Sequence, residues 1–176
     1  MPSATAQAPP KEGEFADLYH GHFQRLAMQL YAYLGDHAEA QDLTQEAFCR
    51  AYERWDHIRT YDDPSAWVRR VAWNLATSRL RRVKVAVRHL GKQREEHVPG
   101  PEPDHVALVR ALATLSARHR RAVVLHHLCH LSVAEIARQE DVAEGTVRSW
   151  LSRGRTALAA YFNETTDEAT LEVRRG

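Results

Sequence analysis

Apolar residues along this chain recur at three- and four-residue steps, and no stretch alternates apolar and polar with a period of two. Such spacing marks amphipathic helices and provides nothing for a sheet. Phe15, Leu18, Tyr19, Phe23, Leu26, Leu30 and Tyr33 form the first series, and Gly35 follows where a helix C-terminal cap is expected. A second helix is expected from near Asp36. Its apolar stripe is Ala40, Leu43, Ala47, Phe48, Ala51, Tyr52 and Trp55, and Asp42, Gln45, Glu46 and Glu53 lie opposite. Residues 56–63 read as a loop. Asp63-Pro64-Ser65 then opens a third helix, expected to run to about Lys84 on a core stripe of Val68, Val71, Ala72 and Leu75.

Between Val85 and Asp104 the pattern breaks, and three prolines and a glycine fall within residues 99–103. Proline without periodicity reads as a linker. Helical spacing resumes at Val106, Leu108, Val109, Leu112 and Leu115, passes through Val123, Val124, Leu125 and Leu128, and continues into two further helices. The fold class expected is therefore all-α: two small helical domains joined by a flexible linker, the C-terminal one a helix-turn-helix. The expected boundaries are a disordered tail over 1–13, a first domain over 14–83, the linker over 84–104, a second domain over 105–162 and a charged tail over 163–176. A chain of 176 residues has room for two such domains, each with a core thin enough that a partner would add stability.

Charge is segregated. Residues 12–63 carry eleven acids and four bases, residues 65–94 carry nine bases and no acid, and residues 163–173 carry four acids and no base. The formal net charge of +1 conceals these blocks. They suggest one surface for a polyanion and another for a basic partner, where the simpler reading is solvated helix faces that happen to differ in sign. No apolar run approaches the roughly 18–20 residues of a membrane helix, and the Ala/Pro/Gln/Ser-rich start lacks a signal-peptide pattern. Two distant cysteines, Cys49 and Cys129, make no disulfide scaffold, so a reducing cytoplasm is the expected location.

The most informative segment is Leu131–Arg155. Ser132 and Glu135 have the spacing of a capping box. Ile136 and the small Ala137 face inward, a turn falls at Asp141, and Val142, Val147 and Leu151 pack back. Arg148, Ser149, Ser152 and Arg153 are left on the outer face of the last helix. A recognition helix needs this division, with apolar residues holding it in place and Arg and Ser projecting to base edges and phosphates. The bland alternative is a helical hairpin with solvated arginines.

These segments together resemble the extracytoplasmic-function (ECF) class of bacterial RNA polymerase sigma factors, in the minimal two-domain form. Three motifs carry the resemblance: Ala40-Gln-Asp-Leu-Thr-Gln-Glu-Ala-Phe, Ala66-Trp-Val-Arg-Arg-Val-Ala-Trp-Asn-Leu-Ala, and the Gly145-Thr-Val-Arg-Ser helix. The resemblance implies a sigma factor that binds core RNA polymerase, through the β′ clamp helices and the β subunit, and promoter DNA. It implies promoter melting without catalysis of its own, no cofactor, no metal, no membrane insertion, and possible control by an anti-sigma factor. By position, Asp42, Gln45 and Glu46 match the polymerase-docking surface. Asn74 matches a −10 contact, and the loop from His57 to Asp63, with Tyr61, matches the loop that receives a flipped-out base. On a 3.6-residue helix Trp67, Arg70, Asn74, Ser78 and Arg81 form one stripe beside the core stripe, so Tyr61, Trp67, Arg70, Asn74 and Arg81 are the expected −10 set, offering stacking, amide bonding and phosphate pairing to an unpaired strand. Arg148, Ser149, Ser152 and Arg153 match the −35 contacts, and the linker would pass the polymerase active-site channel.

The chain departs from the family pattern at three places. Asp141 replaces the usual turn glycine, at some conformational cost. Ala143 lacks the usual side-chain cap, worth about 1 kcal/mol. Trp150 stands where many members have a basic residue. Two other readings compete with the sigma factor: a helix-turn-helix regulator that works without polymerase, and a metal sensor or enzyme built on His126, His127, Cys129 and His130. In the second, His126 and His130 would share one helix face at a ligand spacing. The simpler reading of that cluster is semi-buried polar residues on the helix before the helix-turn-helix. Trp55 and Trp73 are expected to pack in the core.

Overall fold

The structure, a computed structural model, describes the backbone of residues 10–90 and 103–173 and the side chains of 11–83 and 105–164. Among the described residues every regular element is a helix: α1 (Pro10–Leu34), α2 (His37–Glu53), α3 (Trp55–Ile58), α4 (Pro64–Leu90), α5 (Pro103–Ala113), α6 (Ala117–His127), α7 (Val133–Glu140) and α8 (Glu144–Val173). They fall into two units. One holds α1 up to Leu30 with α2, α3 and α4, and the other holds residues 31–37 with α5 to α8.

In the first unit the core is Leu26, Ala27 and Leu30 of α1, Ala40, Thr44, Ala47, Phe48 and Ala51 of α2, and Val68, Ala72, Trp73 and Ala76 of α4. Trp55 and Ile58 of α3 complete it. Phe48 is the hub, with the rings of Phe15, Tyr19 and Phe23 packed on it at 6.3, 5.1 and 5.9 Å between centroids. Burying Thr44 leaves no unmet polar group, because its hydroxyl donates to the Ala40 carbonyl one turn back at 2.7 Å. Gly35 ends α1 as expected, at φ +82 with its N–H on the Tyr31 carbonyl at 2.8 Å.

Several sequence-based expectations need correction. The helix begins at Pro10, so residues 10–13, expected as tail, are helical. Proline suits a first helical turn, and that turn is tied to α3: Lys11 pairs with Asp56, Glu14 with Arg59 at 3.0 Å, and Trp55 Nε1–H donates to the Lys11 carbonyl. The expected loop over 56–63 starts with one helical turn, because Trp55 and Ile58, three residues apart, both bury. Tyr52, expected in the core, is 54% exposed, while Leu43 is half-buried. On α4 the buried stripe is Val68, Ala72, Trp73 and Ala76, and Val71 and Leu75 lie at its margin. Helix α4 continues to Leu90 and α8 to Val173, past the expected ends, since neither stretch contains a glycine or proline to stop it. Pro99, Gly100 and Pro101 of the linker lie outside the described residues, and Pro103, expected in the linker, opens α5.

In the second unit Val109, Leu112, Leu115, Ala122, Val124, Leu125, Leu131, Ile136, Val147 and Leu151 form the core. Arg120 ties helix ends together, donating to the carbonyls of Tyr33 (α1) and Ala113 (α5) at 2.9 Å and of Leu115 at 3.3 Å. Helices α6 and α8 cross closely at Gly154, where a Cβ would lie 2.7 Å from Val123 Cγ2. Gly154→Ala is therefore expected to lower stability by about 1–2 kcal/mol despite alanine's better helix propensity. Adding Val123→Ala should relieve the overlap. Chemical denaturation of the single and double variants checks this, and additive losses would contradict a steric origin.

Candidate nucleic-acid interface and docking face

The α4 stripe expected to meet DNA lies on the side of the helix opposite its buried residues. Arg70, Asn74, Ser78 and Arg81 are exposed there, and Trp67 is half-buried at the first turn. Rotation of the core stripe towards Trp73 is what turns this set squarely outward. Trp73 is fully buried, a packing residue as expected. Tyr61 stands just before the helix, 39% exposed, with its ring edge-on to His57 at 5.2 Å.

Asp63 fixes the entry into α4. Its Oδ1 accepts from the Ser65 hydroxyl at 2.6 Å and from the Ala66 N–H at 3.0 Å, a side-chain N-cap. Burial alone would raise its carboxyl, but the Ser65 and Ala66 donors and the Arg69 charge outweigh it and hold the group below the usual carboxylate range.

On α2, Asp42, Gln45 and Glu46 are all exposed on the outward side. Gln45 Oε1 accepts from the Tyr19 hydroxyl at 3.0 Å, which sets the amide's direction, and Glu46 pairs with Arg50 at 2.8 Å. Cys49 is exposed beside them. Glu39, at the start of α2, holds Arg79 of α4, so the two helices carrying the acidic and basic faces are also joined by charge.

The helix-turn-helix forms as expected. Ser132 Oγ accepts from the Glu135 N–H at 3.2 Å, and the Glu135 carboxylate accepts from the Ser132 N–H at 2.8 Å, completing the capping box. Asp141 makes the turn in the left-handed region (φ 55, ψ 51), its N–H on the Ala137 carbonyl. Ala143 supplies no side-chain cap, but its carbonyl accepts from Thr146 N–H at 2.9 Å. Ile136, Ala137, Val147 and Leu151 are buried. Arg148, Ser152 and Arg153 are exposed, and Ser149 and Trp150 are half-buried. Sequence reading missed that Arg148 is held by Glu144, one turn earlier, at 2.7 Å; the four-residue spacing of opposite charges was the available signal. It also missed the buried pair of Arg121 (α6) and Glu140 (α7) at 2.7 Å, which fixes the first helix of the motif. Burial raises the Glu140 carboxyl more than Arg121 lowers it.

The histidine cluster does not share a helix face. Helix α6 stops at His127, so His130, at φ 56, lies beyond it, and His126 Nδ1 is 2.8 Å from the Leu131 carbonyl. Burial, His126 and Arg155 together lower the pKa of His127. Among the described residues no helix is long and apolar enough to cross a membrane.

The family descriptions Sigma-70 region 2 and Sigma-70, region 4 match residues 18–85 and 105–158. The chain is 34% identical over 126 residues to the RNA polymerase sigma-E factor of Streptomyces antibioticus, covering 70% of each chain. It is 29% identical over 167 residues to the ECF RNA polymerase sigma factor SigW of Bacillus subtilis, covering 85% of this chain and 89% of that one. The fold is similar to that of the sigma factor RpoE of Bartonella quintana, solved in complex with the anti-sigma factor NepR. There the TM-score is 0.73 at 24% identity, over 85% of this chain and 97% of that one.

The fold and the matched regions define a sigma-70-type transcription initiation factor. The chain belongs to the ECF RNA polymerase sigma factors. That family is not one of known enzymes, and the polymerase-independent regulator is not favoured.

The Asp63 cap gives a stability test of the α4 entry. A carboxyl depressed in the folded state contributes stability that is present above its unfolded pKa and lost as pH falls through the folded one. Asp63→Ala should cost about 1 kcal/mol at pH 7, and the difference from the parent chain should shrink towards pH 3. Thermal unfolding across that range checks it, and a constant difference would contradict the cap.

Proposed function

We propose that this sigma factor splits its work among three faces. Asp42, Gln45 and Glu46 on α2 dock on the β′ clamp helices of core RNA polymerase, with further contact to the β subunit. Arg70, Asn74 and Arg81, with Trp67 and Tyr61, hold the separated −10 strand: aromatic rings stack on bases, the amide reads a base edge and the arginines meet phosphates. Arg148, Ser149, Ser152 and Arg153 read the −35 duplex in the major groove. Residues 14–83 and 105–162 act as the two working domains, and 84–104 links them through the polymerase. The chain performs no chemistry itself, acts in the cytoplasm where core polymerase is, and is a target for an anti-sigma protein that covers these faces.

The supporting observation is the α4 stripe. A polar, cationic, aromatic-flanked row lies directly opposite the buried face, in a segment with nine bases and no acid over residues 65–94. A helix that only needed solubility would have no reason to exclude acids.

The test is transcription in vitro from a promoter selected with reconstituted holoenzyme. Initiation dependent on this chain is expected. Absence of both initiation and core binding overturns the proposal, and tight duplex binding by the chain alone, at stated salt, would favour the regulator instead. Replacing Asp42 and Glu46 together with lysine should abolish core binding. Arg148→Ala should cost about 1–3 kcal/mol at one −35 base pair and relax preference there; unchanged preference would remove the base-reading role.

A further inference from the structure

Helix α3 has only four residues, too few to hold a helical turn by their own backbone bonds. Trp55 and Ile58 anchor it in the core. The start of α1 supplies its other contacts. Trp55 Nε1–H donates to the Lys11 carbonyl at 3.0 Å, the Lys11 ammonium pairs with Asp56, and Phe15 meets the Trp55 ring edge-on at 5.3 Å. Arg59, at the C-terminal cap of α3, makes a two-pronged contact with Glu14: Nε lies 3.0 Å from one carboxylate oxygen and Nη2 donates to the other at 3.2 Å. The following loop hangs from α3. The Thr60 hydroxyl donates to the His57 carbonyl at 2.7 Å, the Tyr61 N–H donates to the Ile58 carbonyl at 3.0 Å, and the Tyr61 ring stands edge-on to His57 at 5.2 Å. An unbroken run of contacts therefore leads from residues 11–15 to Tyr61.

We propose that Lys11 and Glu14 are positioning residues for promoter melting: by fixing α3 they preset the loop and the Tyr61 ring that receive the flipped-out −10 base. This role rests on the −10 reading of that loop. It extends that reading to a part of the chain ahead of residues 18–85, the stretch matched by region 2. The Lys11 and Asp56 side chains are 58% and 77% exposed. Exposed pairs contribute little to global stability, and the core around Phe48, Ala72 and Trp73 closes without them. What they set is local order. Packing beside them is incomplete, because a hollow of about 550 Å³, lined by Lys11, Glu12, Tyr52, Glu53 and Arg54 among others, opens where the α1 turn meets α2 and α3. The bonds from Lys11 and Glu14 hold α3 across that gap. A loop ordered in advance loses less freedom on capturing a base, and fixing one backbone residue corresponds to about tenfold in affinity.

Holoenzyme reconstituted from core polymerase and the full chain is titrated with single-stranded −10 oligonucleotides of a promoter selected with the parent, their bases removed one at a time. Removing the base that the loop receives should weaken binding by the parent, and Tyr61→Ala should abolish that dependence. Lys11→Glu is expected to bind the intact oligonucleotide about tenfold more weakly and to lose the dependence on the same base, with core binding and melting temperature unchanged. Glu14→Gln should show the same loss in milder form. Asp56→Lys alone should also bind more weakly, and combined with Lys11→Glu it should restore the parent's affinity, because the pair re-forms with its charges exchanged. A bare charge effect on a polyanion would instead make Asp56→Lys bind more tightly than the parent. If Lys11→Glu and Glu14→Gln both keep the parent's base dependence, the positioning role is overturned and the −10 reading stands. If no base removal weakens the parent, the −10 reading of the loop falls and the positioning role with it. A loss that follows a lowered melting temperature, tighter binding by Asp56→Lys alone, or no repair in the combined variant also overturns the role, because Lys11 would then act through the fold or through its charge alone.

Discussion

Small residues at the helix crossings set how much of each helix remains for partners. Ala40, Ala47 and Ala51 on α2, Ala72 and Ala76 on α4, and Ala122, Ala137 and Gly154 in the second unit are all buried. Side chains this short let helices approach closely, and the contact stripe stays narrow. A wide leucine stripe would bury a larger arc of each helix and push its neighbours apart. Here a few large groups, Phe48, Trp55 and Trp73 above all, fill the spaces the alanines leave. The result is a thin core that leaves a broad outward arc of α2, α4 and α8 exposed, and the exposed arc is where the residues proposed to face partners lie.

The periodicity of 3.6 was enough to read the existence and order of every helix but the one-turn α3, because it reports directly on which positions can share a face. Local chemistry was enough for Gly35, for the Asp63-Pro64-Ser65 start and for the Ser132/Glu135 box, since in each the bonding partners lie within four residues. Much of what failed depended on distant contacts. Nothing near Lys11 says that Trp55, forty-four residues on, will donate its indole N–H to the Lys11 carbonyl and draw the first turn into helix. Nothing in the α2 pattern separates Thr44, which buries by bonding its own turn, from Tyr52, which does not bury at all. On α4 the apolar count could not choose between stripes about Leu75 and about Trp73, because both are apolar and the choice belongs to α1 and α2. Apart from Trp67 and Ser149, which are half-buried, the residues expected outward are exposed, for the complementary reason. Positions that demand charge, amide and hydroxyl together cannot sit in either stripe.

Electrostatics divides along the same line between inside and outside. The Arg121–Glu140 pair is largely withdrawn from water, and burial outweighs its partner in setting the Glu140 carboxyl. A raised carboxyl pKa contributes stability below its unfolded value and loses it as pH rises through the folded one. The ionised form of Glu140 is therefore a burden that Arg121 only partly offsets, and breaking the pair by removing one member would leave a polar group stranded. The exposed pairs obey different arithmetic. Glu46–Arg50 and Glu144–Arg148 are one-turn contacts on open helix faces, of a kind worth roughly 0.3–0.5 kcal/mol and screened by salt. So small an energy cannot prevent Arg148 or Glu46 from exchanging its helix neighbour for another partner. It does keep each side chain extended along its own helix until a stronger partner arrives, which reduces the rotamer freedom lost on binding. Where charge is buried, then, it holds the second unit's helices in place. Where charge is exposed it remains available, and the acidic face of α2 and the basic face of α4 can turn to different partners because neither is needed to keep the core closed.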